Sequence, residues 1–206
     1  MKNNIDIQPL VDVVKTLRAP NGCPWDQKQT HESLRRYFIE EIYEVVDAID
    51  NKDMPNLREE LGDVLLQVVF HSQLAEEAGH FTFQDVINDV AEKMIRRHPR
   101  VFNPENDEES YTWDELKAQE KKNIQNSVLD GVSKSLPALM AAYKLQEKAA
   151  KLGFDWNELD PVWAKVSEEM GEFKEAIDQN DRENMEKEAG DVLFSLINLF
   201  RWYKIS

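Results

Sequence analysis

Five acidic residues recur in this chain at fixed spacing. Glu40, Glu41, Glu44, Glu60 and Asp63 are matched, at a constant offset of 128 residues, by Glu168, Glu169, Glu172, Glu188 and Asp191. The segments EEIYEVVDAIDNKDMPNLREELGDVLL and EEMGEFKEAIDQNDRENMEKEAGDVLF align without a gap. Acids three apart share a helix face. Two facing helices would therefore gather Glu41, Glu44, Glu60 and Asp63 in one place, and Glu169, Glu172, Glu188 and Asp191 in another. Like charges at that density are unfavourable unless a cation lies among them. An all-oxygen donor set suits a hard ion, Mg²⁺ or Mn²⁺, rather than zinc. The plainer alternative is a solvated helix face or a set of structural ion pairs. The neighbours favour metal ligation: Asp63 sits in LGDVLLQVVF and Asp191 in AGDVLFSLINLF. Both runs are apolar on most sides, and a buried unpaired carboxylate is costly.

Glu40 and Glu168 stand next to these ligand pairs, turned about 100° on the helix wheel. They are expected to orient a second metal or an attacking water. Lys28, Arg35 and Arg36 lie upstream of the first acids, and Lys148, Lys151 and Lys165 upstream of the second. They could neutralise phosphates; singly, each also reads as a solvated charge. Trp25 and Trp156 occupy loops, where a tryptophan either stacks on a base or staples the loop to the core. Gly62 and Gly190 precede the two aspartates inside expected helix. A mid-helix glycine costs about 1 kcal/mol relative to alanine, so space is needed there, for close helix packing or for a ligand. His31 and His71 lack ligand spacing and read as loop or helix-surface residues.

Composition narrows the class. The chain has 206 residues, 41% hydrophobic and 32% charged, with 40 Asp and Glu against 25 Lys and Arg and a formal charge of -15. Both halves are acidic. No long basic stripe of the kind that holds a nucleic-acid backbone appears. One cysteine, Cys23, excludes an intramolecular disulfide and fits a reducing compartment. The first residues are too polar for a signal peptide, and no apolar run reaches membrane-spanning length. A cytoplasmic protein is expected.

The elements that must position the acids read as helices throughout. Glycines number only seven, and strand-like alternation is scarce. Helices are predicted over 5–17, 30–49, 56–78 and 81–97, the last beginning after Thr82 as N-cap, with a loop over 19–27, a break over 50–55 and stops at Gly79 and before Pro99. The fold class is all-α, with two tandem helical bundles. Residues 1–103 form the first unit and 104–134 a connector with a bridging helix near 113–125. Residues 135–206 form a second unit that is incomplete, with helix over 136–151, a loop at 153–156 and a final helix ending at 202. The apolar runs 64–70 and 193–200 are too broad for three or four helices to cover, which predicts a homodimer or larger assembly.

The ordered set GCPWDQKQTHESL, EEIYE with ELGD, RRHPRVF, SLPALMAAYKLQEKAA, GFDW, and EEMGE with AGD resembles the MazG family, within the all-α NTP pyrophosphatases. The motifs span about 17–200. The resemblance implies a helical bundle in each half, tight dimerisation, and Mg²⁺-dependent cleavage of nucleoside triphosphates to monophosphate and pyrophosphate. It implies metal binding by the two sets of four acids named above. It also implies substrate contacts from Trp25, Lys28, Arg35 and Arg36 in the first unit and Trp156 and Lys165 in the second, the unit often credited with activity. Two departures stand out. Relatives continue past Ser206 with a Lys- and Arg-rich helix, and Asn184 stands where some carry a lysine. On that basis activity is expected to depend at least as much on Asp63 as on Asp191. A carboxylate di-iron bundle is disfavoured because it needs Glu-x-x-His on two helices. A helical regulatory or interaction protein with a vestigial metal site remains the non-enzyme alternative.

Overall fold

A computed structural model describes residues 6–102 and 127–205. The described residues contain helices and turns and no strand. They divide into two compact units, the first within Met1–Trp113 and the second within Asp114–Ser206. The predicted bridging helix lies outside the described residues, as does most of the predicted connector.

The first unit contains α1 (Gln8–Arg18), α2 (Pro24–Gln27), α3 (His31–Asp50), α4 (Met54–Glu77), α5 (Phe83–Arg97) and α6 (Pro99–Phe102). Its core is Val14, Leu34, Val69, Phe70 and Leu74, with Leu10, Val11, Tyr37, Leu66 and Phe83 packed against it. The second unit contains a short 3-10 turn (Val128–Gly131), α7 (Ala138–Lys151), α8 (Leu159–Asp178) and α9 (Arg182–Trp202). Val162, Val166 and Leu199 form its core, flanked by Leu159, Leu196 and Trp202.

The antiparallel pair α3–α4 recurs as α8–α9, and the turn between them recurs in detail. Asp53 caps α4 by accepting from the Asn56 amide at 3.1 Å, and Asp181 caps α9 by accepting from the Asn184 amide at 3.1 Å. Lys52 and Asn180, one residue earlier, both take the left-handed conformation, with φ of 57° and 54°. That conformation is uncommon outside glycine. The turn fixes the register of each helix pair and so decides which acids face one another.

Several predicted boundaries differ. The expected loop over 19–27 contains the one-turn helix α2, because Pro24 at its first position needs no amide partner and has φ preset for helix. For the same reason α4 begins at Met54, with Pro55 inside its first turn. As expected, α5 begins after the N-cap Thr82, at Phe83, through a capping box with Asp85. His98 breaks the helix before Pro99, yet Pro99 then starts the short α6. Pro137 caps α7, which begins at Ala138 rather than 136. Gly22 is required by the hairpin after α1: a Cβ there would lie 2.2 Å from the Leu17 carbonyl oxygen.

Candidate active site

Helices α3 and α4 bring Glu41, Glu60 and Asp63 together, with one carboxylate oxygen from each lying within 4.8 Å of the others. Glu44, one turn along α3, shares a hydrogen bond with Glu41. Burial pushes the Glu41 carboxyl up to about 7, and Glu44, Asp63 and Glu60 push it in the same direction. Glu60 is raised as well, by desolvation first and then by Glu44 and Asp63. Crowding of like charges disfavours the ionised forms, and a cation among them would relieve it. Glu40 is exposed on α3 beside this cluster.

In the second unit Glu169, Glu172 and Glu188 converge with oxygens within 4.8 Å. Glu169 and Glu188 are buried, and Glu188 Oε2 is shielded from water with no hydrogen-bond partner. Asp191, one turn along α9, is half-buried. Here the charge is partly offset by lysines. Lys165 donates to Glu169 at 2.6 Å and to Glu168 at 3.1 Å, and these carboxylates raise its pKa. Lys187 lies 2.8 Å from Glu188 and 3.8 Å from Asp191. Of each predicted set of four, three therefore converge tightly. The fourth differs, Glu44 in one unit and Asp191 in the other.

The predicted substrate residues separate differently in the two units. In the first, Trp25, Arg35 and Arg36 line an open cleft of about 550 Å³ with Tyr37, and none of the four acids lines it. Trp25 packs edge-on against Tyr37 at 5.9 Å, and the Arg36 guanidinium lies 4.5 Å over the Tyr37 ring and donates to its hydroxyl. Lys28 does not line this cleft; it caps the end of α2. In the second unit Trp156 and Lys165 share one pocket of about 690 Å³ with Glu169 and Asp191. The pocket's other walls are largely apolar, including Phe154, Phe194 and Leu145. A platform for a flat ring, a cation and two of the acids thus open into one cavity.

Other groups at these sites carried no sequence signal. Arg201 lies in the apolar run NLFRW, yet its guanidinium bonds Asp155 at 2.6 Å and Asn198 at 2.8 Å, tying the GFDW loop to α9. Gln146 lies within the apolar face of α7, and Lys187 among surface charges. The histidines read as lone surface residues are in fact paired. His31 and His71 bring their Nδ1 atoms 2.8 Å apart, and His71 is half-buried. Their ring centroids are 5.1 Å apart and the planes only 8° apart. The rings therefore meet edge to edge, with one proton between the two nitrogens. Forty residues separate them, so no local spacing could reveal the pair. The close-packing reading of the glycines also fails within each unit, because a Cβ at Gly62 or Gly190 would meet nothing within 4 Å. Both face open space beside the acids.

A helical hairpin bearing convergent acids is thus repeated in the two units, and in the second it opens onto a cavity with an aromatic wall. The model of the MazG nucleotide pyrophosphohydrolase domain matches residues 29–102 and 160–205. The nucleoside triphosphate pyrophosphohydrolase/pyrophosphatase MazG of Thermotoga maritima is 48% identical over 198 residues, covering 96% of this chain and 76% of that protein. The nucleoside triphosphate pyrophosphohydrolase of Escherichia coli (strain K12) is 45% identical over 203 residues, covering 95% of this chain and 77% of that protein. The chain belongs to the MazG family.

Proposed function

We propose that this protein hydrolyses nucleoside triphosphates between the α and β phosphates, releasing nucleoside monophosphate and pyrophosphate, and that the second unit is its working site. The observation that carries this is the second unit's pocket, where Trp156, Lys165, Glu169 and Asp191 share one cavity. Family membership and relatives named for this activity support it. Removal of unwanted nucleotides from the cytoplasmic pool is the role this chemistry serves best.

The donor set fits Mg²⁺, with Mn²⁺ as a substitute. It is all oxygen, and the buried, unpartnered Glu188 Oε2 is a donor atom with nothing to bind. Glu169, Glu172, Glu188 and Asp191 would hold the ion in the second unit, and Glu41, Glu44, Glu60 and Asp63 in the first. Bound there, Mg²⁺ would offset the triphosphate charge and acidify water. The remaining work falls to the chain. Lys165, lying across Glu168 and Glu169 at the pocket wall, is the cation placed to bind phosphate oxygens, and would be freed to do so if those carboxylates held the ion. Glu168, exposed beside these acids, would orient the attacking water and take its proton. Trp156 and Phe154 offer the base flat apolar faces at the pocket. In the first unit Glu40 has the equivalent place, while Trp25, Arg35 and Arg36 line a cleft that none of the four acids reaches.

Exposed apolar residues on each helix pair support a homodimer. Ile42, Val46, Ile49, Leu61 and Leu65 are exposed in the first unit, and Met170, Ile177 and Leu193 in the second. The formal charge of -15 disfavours nucleic acid as a partner. Among the described residues no helix is long and apolar enough to cross a membrane.

Pyrophosphate release from ATP, CTP, GTP and UTP, with Mg²⁺ and again with EDTA, tests the assignment. Release that EDTA abolishes is expected. A chain that releases none under either condition is the regulatory protein with a vestigial site, not the enzyme.

A further inference from the structure

We propose, resting on the function above, that Asp155 is a positioning residue for substrate binding. With Arg201 it clamps Trp156 to α9, and so fixes the aromatic wall of the second unit's pocket relative to the acids. Trp156 lines that pocket and is 45% exposed. It sits in the loop between α7 and α8. Gly153, with φ of 83°, turns the chain out of α7, and the Phe154 amide still donates to the Ala149 carbonyl oxygen at 3.0 Å. Beyond that point the helix no longer holds the chain. Among the described residues, Asp155, Trp156 and Asn157 make no backbone–backbone hydrogen bond. Their hydrogen bonds run through one atom. Asp155 Oδ1 accepts from the Arg201 guanidinium at 2.6 Å, from the Trp156 amide at 2.9 Å and from the Trp202 indole N–H at 3.3 Å.

The clamp is built to be stiff. The Arg201 and Asp155 side chains are 14% and 27% exposed, so water competes weakly for their bond. Arg201 is braced in turn by Asn198, whose side-chain oxygen accepts from it at 2.8 and 3.1 Å. Burial works to raise the Asp155 carboxyl, but the bonds from Arg201 and the Trp156 amide outweigh it and hold the group below its usual value. Charge-assisted bonds of this kind are the strong ones. Arg201, Asn198 and Trp202 all lie on α9, which also carries Glu188 and Asp191. The clamp therefore references Trp156 to the helix that bears two of the acids. A loop side chain held this way loses less freedom when a ligand arrives, which raises affinity without touching the reacting atoms. The first unit lacks the cation at this place: the position 128 residues before Arg201 is Gln73, which donates to Glu77 on its own helix at 3.1 Å.

The test uses the full chain with ATP and Mg²⁺, and reads steady-state pyrophosphate release. Trp156→Ala is expected to raise KM by about tenfold, because it removes a stacking surface. Asp155→Ala is expected to raise KM by about three- to tenfold with kcat within about twofold of the wild type, since binding is lost and chemistry is not. The double variant decides the matter. In a Trp156→Ala background, Asp155→Ala is expected to raise KM no further, because a residue that acts through Trp156 has nothing left to position. General damage to the fold would instead add to the effect of Trp156→Ala. Arg201→Gln opens the clamp from the other side and is expected to give the same pattern in both backgrounds, so the test stands if Asp155→Ala does not fold. An unchanged KM in folded Asp155→Ala or Arg201→Gln overturns the assignment. So does an unchanged KM in Trp156→Ala, and so do effects that multiply in the double variant. With pyrophosphate release by the wild type intact, none of these outcomes touches the function itself. No release by the wild type overturns the function and this assignment together.

Discussion

Glu41 and Lys165 show how the same motif meets two electrostatic solutions. In the first unit Glu41 is crowded by acids, and its carboxyl is pushed up to about 7 from 4.5. The native chain thus keeps a proton that the unfolded chain releases. The stability this contributes is full below pH 4.5 and is lost as pH rises through about 7. Glu41 is half-exposed, so solvent screening keeps the change small. In EDTA the melting temperature is expected to be higher at pH 5.5 than at pH 8, and Glu41→Gln should reduce that difference. An equal pH dependence in wild type and variant would show that Glu41 ionises normally. In the second unit Lys165 and Lys187 already neutralise part of the charge. A cation binding there would have to displace these ammonium groups. Because the pocket contains Asp191, whereas the first unit's cleft contains none of its acids, Asp191→Asn should lower kcat by about two orders of magnitude or more. Asp63→Asn should leave most activity. This reverses the expectation that Asp63 matters at least as much, and separate assays of the two variants decide between them.

At the scale of the elements, the glycines before the aspartates carry the clearest consequence. A mid-helix glycine is a stability defect, and a Cβ at Gly62 or Gly190 would meet nothing within 4 Å. Gly62→Ala and Gly190→Ala are each expected to stabilise the metal-free chain by about 0.5–1 kcal/mol. A ligand or a second copy of the chain does come close there if the sites work as proposed. Alanine should then lower Mg²⁺ affinity or pyrophosphate release while raising the melting temperature. Thermal melts in EDTA, paired with the release assay, check both halves. A fall in melting temperature would restore close packing as the reason for the glycines.

For the molecule as a whole, the exposed faces of the helix pairs carry the consequence. Ile42, Val46, Ile49, Leu61 and Leu65, between 38% and 52% exposed, form too wide an apolar surface for a lone chain in water. A stable partner would cover about 800 Å² on each chain. Sedimentation at micromolar concentration is expected to give a dimer, and Val46→Glu to weaken it at least tenfold by placing a charge in the interface. A wild-type monomer at that concentration would remove the case for assembly. The faces lie on the helix pairs that carry the acids. Dimerisation and site geometry are then coupled, and Val46→Glu should also lower activity.

The sequence alone determined the all-α class, the two tandem units and the acid constellations. Helical periodicity and a gapless internal repeat are local, countable properties, and apolar spacing fixes which helix face turns inward. The short helices at Pro24 and Pro99 were missed because proline breaks a helix interior yet suits its first turn, and only the caps reveal which applies. The sequence could name Glu41 and Glu169 as equivalents. It could not show that one sits among acids that push its carboxyl up and the other beneath a lysine, because that depends on how side chains from two helices share one volume. The same holds for the His31–His71 proton and the Arg201–Asp155 tie. Each depends on partners brought from distant positions, with atoms placed to within a hydrogen bond's tolerance. Only tertiary packing sets distances at that scale, and it made one repeat's acids part of a pocket while leaving the other's beside one.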